Sequence, residues 1–227
     1  MLITIGYRLV LLLAVASTPA SAFRAGEVLD YEVRYLRFMR GTARLVVVEQ
    51  TTYQGNKAFR LTQDVNVGSL FSNHVESYCR QSDLFPLLIT TRMKRKGKEA
   101  FGRQVYIPDQ HTATFSLTEG GRTKSSRFQR KNPVQDVVTI MYYLRVQTLE
   151  QGASFPVSLK EGEYTLMIVG KENPGKVPWS AHPGDCWVLK SVPPKIKAWL
   201  TTDERHLPVK VEVEGAGGMK LLLKAVR

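Results

Sequence analysis

Along most of the chain, hydrophobic and polar residues alternate with a period of two. In "EVLDYEVRYLRF" Leu29, Tyr31, Val33 and Tyr35 alternate with Asp30, Glu32 and Arg34, which predicts a strand with one face buried. "RGTARLVVVEQ" follows at once, with Arg40-Gly41 read as a turn and Ala43, Leu45 and Val47 on one face. Further strand-like runs cover 58–67, 74–80, 87–93, 104–107, 112–117, 164–169, 187–192, 196–201, 209–214 and 219–226. Turn chemistry divides them, as at Gln54-Gly55, Pro108-Asp109 and Gly120-Gly121. The pattern is all-β, mainly antiparallel hairpins.

One segment breaks this rhythm. "NPVQDVVTIMYYLRVQTLEQG" offers Asn132 as a cap, Pro133 at the first helical position and Asp136 in the first turn. Val134, Val137, Val138, Met141 and Leu144 recur at helical spacing, with Gly152 beyond the end. The sequence therefore predicts one short α-helix at about 132–148, plugging or flanking the sheet.

The N-terminus changes how the rest is read. Residues 1–22, "MLITIGYRLVLLLAVASTPASA", combine Arg8, an apolar run from Leu9 to Ala16 and a small-residue end at Ala20-Ser21-Ala22, the layout of a secretory signal peptide. The apolar run is far short of the roughly 20 residues that span a bilayer. The expectation is cleavage after Ala22, export to a bacterial periplasm, and a single β-rich domain over 23–227 with no transmembrane anchor after cleavage.

Charge matters in that light. The chain carries a formal +12, and loss of Arg8 leaves +11. In an exported protein this does not point to nucleic acid. The excess gathers between Arg92 and Lys131, where eleven Lys or Arg face Glu99, Asp109 and Glu119. Arg92, Lys94, Arg95, Lys96, Lys98, Arg122, Lys124 and Arg127 form a candidate basic patch. The partners such a field attracts are anionic lipid, lipopolysaccharide or cell-wall polymer. A merely solvated set of strand faces fits the same charges.

Candidate chemistry is sparse. Asp203, Glu204, Arg205 and His206 crowd together, but period-two runs on both sides make them a hairpin connection. His74, His111, His182 and His206 show no metal-binding spacing, and no nucleophile or phosphate-loop motif is present. The expectation is a non-catalytic protein without metal or cofactor. Cys79 and Cys186 suit either one disulfide in an oxidising compartment or two separately buried thiols. Tyr142, Tyr143 and Arg145, beside Gln135 and Asp136, are candidate ligand-binding residues at a cavity mouth, though helix capping by Gln135 and Asp136 and packing of the tyrosines are the favoured explanation. Trp179, in a Pro/Gly-rich connection, and Trp199 are candidates for stacking on a ligand.

"FRAGEVLDYEVRYLRFMRGTARLVV", "VESYCRQSDLFPL", "NPVQDVVTIMYYLR" and "WLTTDERHLPVKVEVEGAGGMKLLL", in that order, resemble the exported bacterial family catalogued as domain of unknown function 3108. The resemblance spans nearly all of residues 23–227. It implies a periplasmic protein with a curved sheet, or an open, spiral, barrel-like β domain, around one helix. It implies no activity and no catalytic residues, and the two cysteines are not part of its pattern.

Three functions then compete. A curved sheet with an apolar concave face and basic rim suits a carrier of an amphipathic or anionic partner, a lipid or an envelope glycan. An interaction or structural factor of the envelope, partnered by another envelope protein, needs only exposed patches. A hydrolase of cell-wall glycans or esters lacks a constellation. The first is the expected function.

Overall fold

The computed structural model of the chain describes residues 22–36, 39–214 and 218–227. The signal-peptide reading of residues 1–22 lies outside them, save for Ala22. Fourteen strands form one antiparallel sheet. They are β1 (Val28–Tyr35), β2 (Met39–Tyr53), β3 (Asn56–Val67), β4 (Phe71–Arg80), β5 (Pro86–Arg95), β6 (Lys98–Ile107), β7 (Thr112–Glu119), β8 (Arg122–Gln129), β9 (Ser154–Leu159), β10 (Gly162–Glu172), β11 (Cys186–Val192), β12 (Ile196–Thr201), β13 (Pro208–Val213) and β14 (Met219–Val226). Among the described residues the one α-helix, α1, runs over Thr139–Arg145.

Each strand pairs with its chain neighbours, except that β8 and β9 do not pair with each other, and β1 also pairs with β14, from Leu29 opposite Val226 to Tyr35 opposite Met219. The sheet therefore winds round as a meander joined through its first and last strands. It stays open between β8 and β9, its two edges.

The predicted alternation explains which face turns inward. Leu29, Tyr31 and Val33 of β1, Ala43, Leu45 and Val47 of β2, and Leu221 and Leu223 of β14 are buried in one core. α1 occupies that interior: Thr139, Ile140, Met141, Tyr142, Leu144 and Arg145 are all buried, leaving Tyr143 half-buried. A short helix apolar on nearly every side is stable only when surrounded. Phe23 packs edge-on against Tyr142 and Phe59, with ring centroids 5.0 and 5.2 Å apart, so the segment just before β1 seals one side of the plug.

The structure corrects two of the sequence expectations here. The helix begins at Thr139, not near Asn132, because the free edge of β9 takes up the preceding backbone. Gln135 N–H donates to Ser158 O at 2.7 Å, and Ser158 N–H donates to Pro133 O at 3.0 Å, making a parallel bridge at Val134. Unpaired strand-edge groups need partners, and this segment supplies them. Asn132 turns its side chain to Glu163 Oε2 at 3.0 Å. Asp136 instead ties the entering turn, accepting from Val138 N–H at 2.6 Å and Thr139 N–H at 3.1 Å. Second, Arg40-Gly41 is no turn: both lie inside β2, with Gly41 opposite Val33 of β1.

Candidate functional site

Two places combine exposure with unusual chemistry, and both flank the opening of the sheet. The first is a wing formed by β5 to β8. It is built by two tight hairpins, with left-handed Lys96-Gly97 (φ 49° and 78°) and Gly120-Gly121 (φ 55° and 76°) at the tips, the backbone that two-residue hairpin turns require. Beyond the core the wing is wet on both faces: every residue of β8 except Phe128 is exposed.

Register sorts its cations by face. Arg95 opposes Lys98, Glu119 opposes Arg122, and Leu117 opposes Lys124, on the side that continues the interior face. Arg92 opposes Phe101, and Arg127 opposes Thr114, on the outer side. Phe101 is 47% exposed, with the Arg92 guanidinium 5.5 Å from its ring centre. Lys94 lies 4.0 Å from Glu99. Among the described residues, Arg92, Arg95, Lys96, Lys98, Arg122, Lys124 and Arg127 have no carboxylate within ion-pair distance.

Elsewhere among the described residues most arginines have an acid partner, although lysines such as Lys57, Lys190 and Lys195 have none within ion-pair distance. Arg34 and Arg40 pair with Glu32, Arg44 and Arg227 with Asp30, Arg60 with Glu49 and Glu76, Arg80 with Asp83 and Asp109, and Lys220 with Glu212.

The second place is a cleft of about 150 Å³ at the seam itself, lined by Asn73, Val75, Ile89, Tyr106, Gln135, Asp136, Val137, Leu159 and Lys160 among others. Gln135 is 1% exposed. Its Oε1 accepts from the Thr139 hydroxyl at 2.8 Å, while its Nε2 has no partner. Asp136 is buried without a cation, and burial raises its carboxyl above the usual range despite hydrogen bonds from Thr139 and Val138. Thr139 Oγ1 is 2.6 Å from Asp136 Oδ2 and 2.8 Å from Gln135 Oε1. One hydroxyl hydrogen serves only one of these oxygens, so a proton on Asp136 completes the chain from Asp136 to Thr139 to Gln135.

This has a pH consequence. Below the unfolded-chain value of about 3.9 the Asp136 carboxyl is protonated in both states. As pH rises from there to the raised folded value, the unfolded chain loses its proton first, so stability falls. Asp136→Asn keeps the acceptor and cannot ionise. Urea unfolding from pH 4 to 7 is expected to show the variant gaining on the native protein as pH rises, whereas a pH-independent difference would refute the assignment.

The other sequence candidates lie elsewhere. Tyr142 and Arg145 are sealed in the interior, out of reach of a surface ligand, and the Tyr142 hydroxyl has no partner. Tyr143 packs between Phe85 and Phe155. Trp199 is 2% exposed, its Nε1 donating to Glu172 at 2.9 Å and its ring flanked by the ammonium groups of Lys197 and Lys210. Trp179 is partly buried against the core, and its backbone N–H donates to Leu223 O. Cys79 and Cys186 are free, buried thiols, which corrects the disulfide alternative: six strands of the sheet lie between β4 and β11.

The Asp203–His206 turn is structural in its contacts. The Arg205 carbonyl accepts from Arg145 Nε at 2.9 Å, and His206 Nδ1 donates to the Arg145 carbonyl at 3.0 Å. Burial alone would raise the Asp203 carboxyl, but hydrogen bonds from Thr201 and Arg205 outweigh it and lower the group. The sequence reading missed the seam cleft as a unit, although it singled out Gln135 and Asp136.

Residues 30–224 match the family described as "Protein of unknown function (DUF3108)". Of solved structures, a β-barrel-like protein of domain of unknown function DUF1849 from Brucella abortus is similar over 90% of this chain and 98% of its own, with 9% identity and a TM-score of 0.51. That likeness concerns the fold. A putative exported protein with a YmcC-like fold from Bacteroides fragilis aligns over 90% and 96% at 8% identity with a TM-score of 0.28. No curated protein matches the chain. No helix of the described residues is long and apolar enough to cross a membrane.

Proposed function

The chain belongs to the DUF3108 family of proteins of unknown function, which carries no activity over to it, and from the geometry we propose a non-catalytic protein of the bacterial periplasm that binds an anionic, amphipathic envelope lipid through the β5–β8 wing. One observation carries this reading. Carboxylates neutralise most arginines over the rest of the sheet, yet among the described residues the wing holds eight cations without an acid partner, the seven above and Arg103 of β6. Unpaired cations repel one another, so their accumulation destabilises the free wing and is relieved when an anionic surface covers it. Exposed Phe101 between Arg92 and the hydroxyl-bearing β7 supplies an apolar contact beside the charge.

The interior is not the binding place in this reading, because α1 and Phe23 fill it. Each cation near an anionic bilayer contributes about 1 kcal/mol, so four of them amount to roughly a thousandfold in affinity. The test is co-sedimentation with vesicles of phosphatidylglycerol and phosphatidylcholine, against phosphatidylcholine alone. The native protein is expected to pellet with the anionic vesicles at low salt and to be released by high salt. The quadruple variant Arg95→Glu/Lys98→Glu/Arg122→Glu/Lys124→Glu is expected to stay in solution. Equal behaviour of native protein and variant would overturn the lipid reading. Retention instead of the native protein by lipid-free envelope polysaccharide would move the assignment to a glycan.

A further inference from the structure

We propose that the seam cleft is a second, independent site, and that it takes a neutral hydroxylated ring of the sugar type. The cleft lies where residues 135–137 and the end of β9 face side chains of β4, β5 and β6, beside the open edge at which Val134 bridges to β9. Its floor presents a buried amide donor, Gln135 Nε2, and a buried amide acceptor, Asn73 Oδ1, neither with a partner in the protein. Buried polar groups are nearly always paired, and two orphans of opposite type in one cleft call for a ligand that both donates and accepts.

The walls narrow the class. Val75, Ile89, Val137 and Leu159 are apolar, and Tyr106 adds a ring whose hydroxyl is engaged with Gln104 Oε1 at 3.0 Å. An alkyl chain would match these walls and leave the Gln135 N–H unmet. A carboxylate or phosphate would find the Gln135 N–H in its favour but would face Glu161 and the Asn73 oxygen, and the cation there, Lys160, lies against the Phe115 ring, its nitrogen 3.1 Å from the ring centre. Lys160 and Glu161 balance each other at the rim. A sugar ring meets both demands: hydroxyls that donate and accept along its edge, and a C–H face for the apolar wall. The volume, about 150 Å³, equals that of about five waters in the liquid, enough for one ring.

The site's probes are N-acetylglucosamine and galactose, which separate an amino sugar from a plain hexose, with hexanoate and inorganic phosphate as the competing chemistries. In titrations of the ¹⁵N-labelled protein, the side-chain amides of Gln135 and Asn73 are expected to shift saturably with at least one sugar and with neither anion. Val137 is 61% exposed at the cleft, so Val137→Trp blocks it without disturbing the core. Gln135→Met removes the donor. Each is expected to weaken the sugar response by about tenfold or more. A response to N-acetylglucosamine alone assigns an amino sugar, and an equal response to both assigns a plain ring. Absence of any sugar shift at Gln135, an unchanged titration in Val137→Trp, or hexanoate acting as strongly as the sugars would overturn the proposal. None of these outcomes depends on vesicle binding by the wing.

Discussion

Arg145→Met is expected to lower the free energy of unfolding by about 3–5 kcal/mol, the cost of breaking a buried ion pair by removing one partner. Arg145 is the largest fully buried side chain, 1% exposed, and Glu27 is 9% exposed. The guanidinium holds the Glu27 carboxylate in a two-point contact, Nη1 to Oε1 at 2.5 Å and Nη2 to Oε2 at 3.0 Å. It also donates to the carbonyls of Ala22 and Arg205 and lies beside the rings of Phe23 and Tyr142. One side chain of α1 thus ties together the start of the described chain, the approach to β1 and the β12–β13 turn. Methionine keeps the length and the apolar stem, but leaves the Glu27 carboxylate and the Ala22 carbonyl buried without this donor and removes the partner of the Arg205 carbonyl. Chemical denaturation measures the loss directly. The double variant Arg145→Met/Glu27→Gln is expected to recover part of it, since the stranded charge is gone. A loss below about 1 kcal/mol, in the range typical of exposed pairs, would mean that water reaches Glu27 and that the plug is looser than the contacts indicate.

Gly41→Ala should destabilise by about 2–3 kcal/mol or more, for a steric reason confined to backbone. A Cβ at Gly41 would lie 2.1 Å from Asn66 O and 3.0 Å from both Asn66 C and Val67 Cα. None of these atoms belongs to a flexible side chain, so β2 and β3 must separate at that point or the ladder must break, a severe form of overpacking. Gly102→Ala is the internal comparison. It also sits within a strand, but its Cβ would meet Thr91 Cβ at 3.4 Å and nothing else nearer than 3.9 Å. There the expected change is small or favourable, because glycine in a strand carries an entropic cost that alanine does not. Similar denaturation midpoints for the two variants would contradict the close approach of β2 to β3.

The same glycine shows how far the sequence reading reached. Arg40-Gly41 looked like a turn because glycine after a charged residue commonly ends a strand. Its reason for being glycine is a close approach across the sheet, which involves Asn66, twenty-five positions away. Where burial of one face dominates, the alternation located strands well, and β12 and β14 have the predicted bounds, Ile196–Thr201 and Met219–Val226. The two strands that the pattern did not reveal are β8 and β9, the edges of the sheet. "RTKSSRFQ" has almost no buried face to alternate, and "SFPVSL" contains Pro156, a residue suited to edges. The edges are also where both proposed sites lie. The basic run from Arg92 to Lys131 could be read directly, whereas its lack of acid partners could not, since pairing depends on which strands adjoin.

The amino-acid order alone determines the β class, most strands, the single helix as an element and the concentration of positive charge, because each rests on contacts within a few residues or on composition. The tertiary structure decides the joining of β1 to β14, the opening between β8 and β9, the late start of α1 and the burial of Arg145 and Tyr142. Those outcomes turn on backbone hydrogen bonds and ion pairs between distant positions. Val134 meets Ser158 because β9 has a free edge, and Arg145 meets Glu27 because the sheet winds round the helix that carries it.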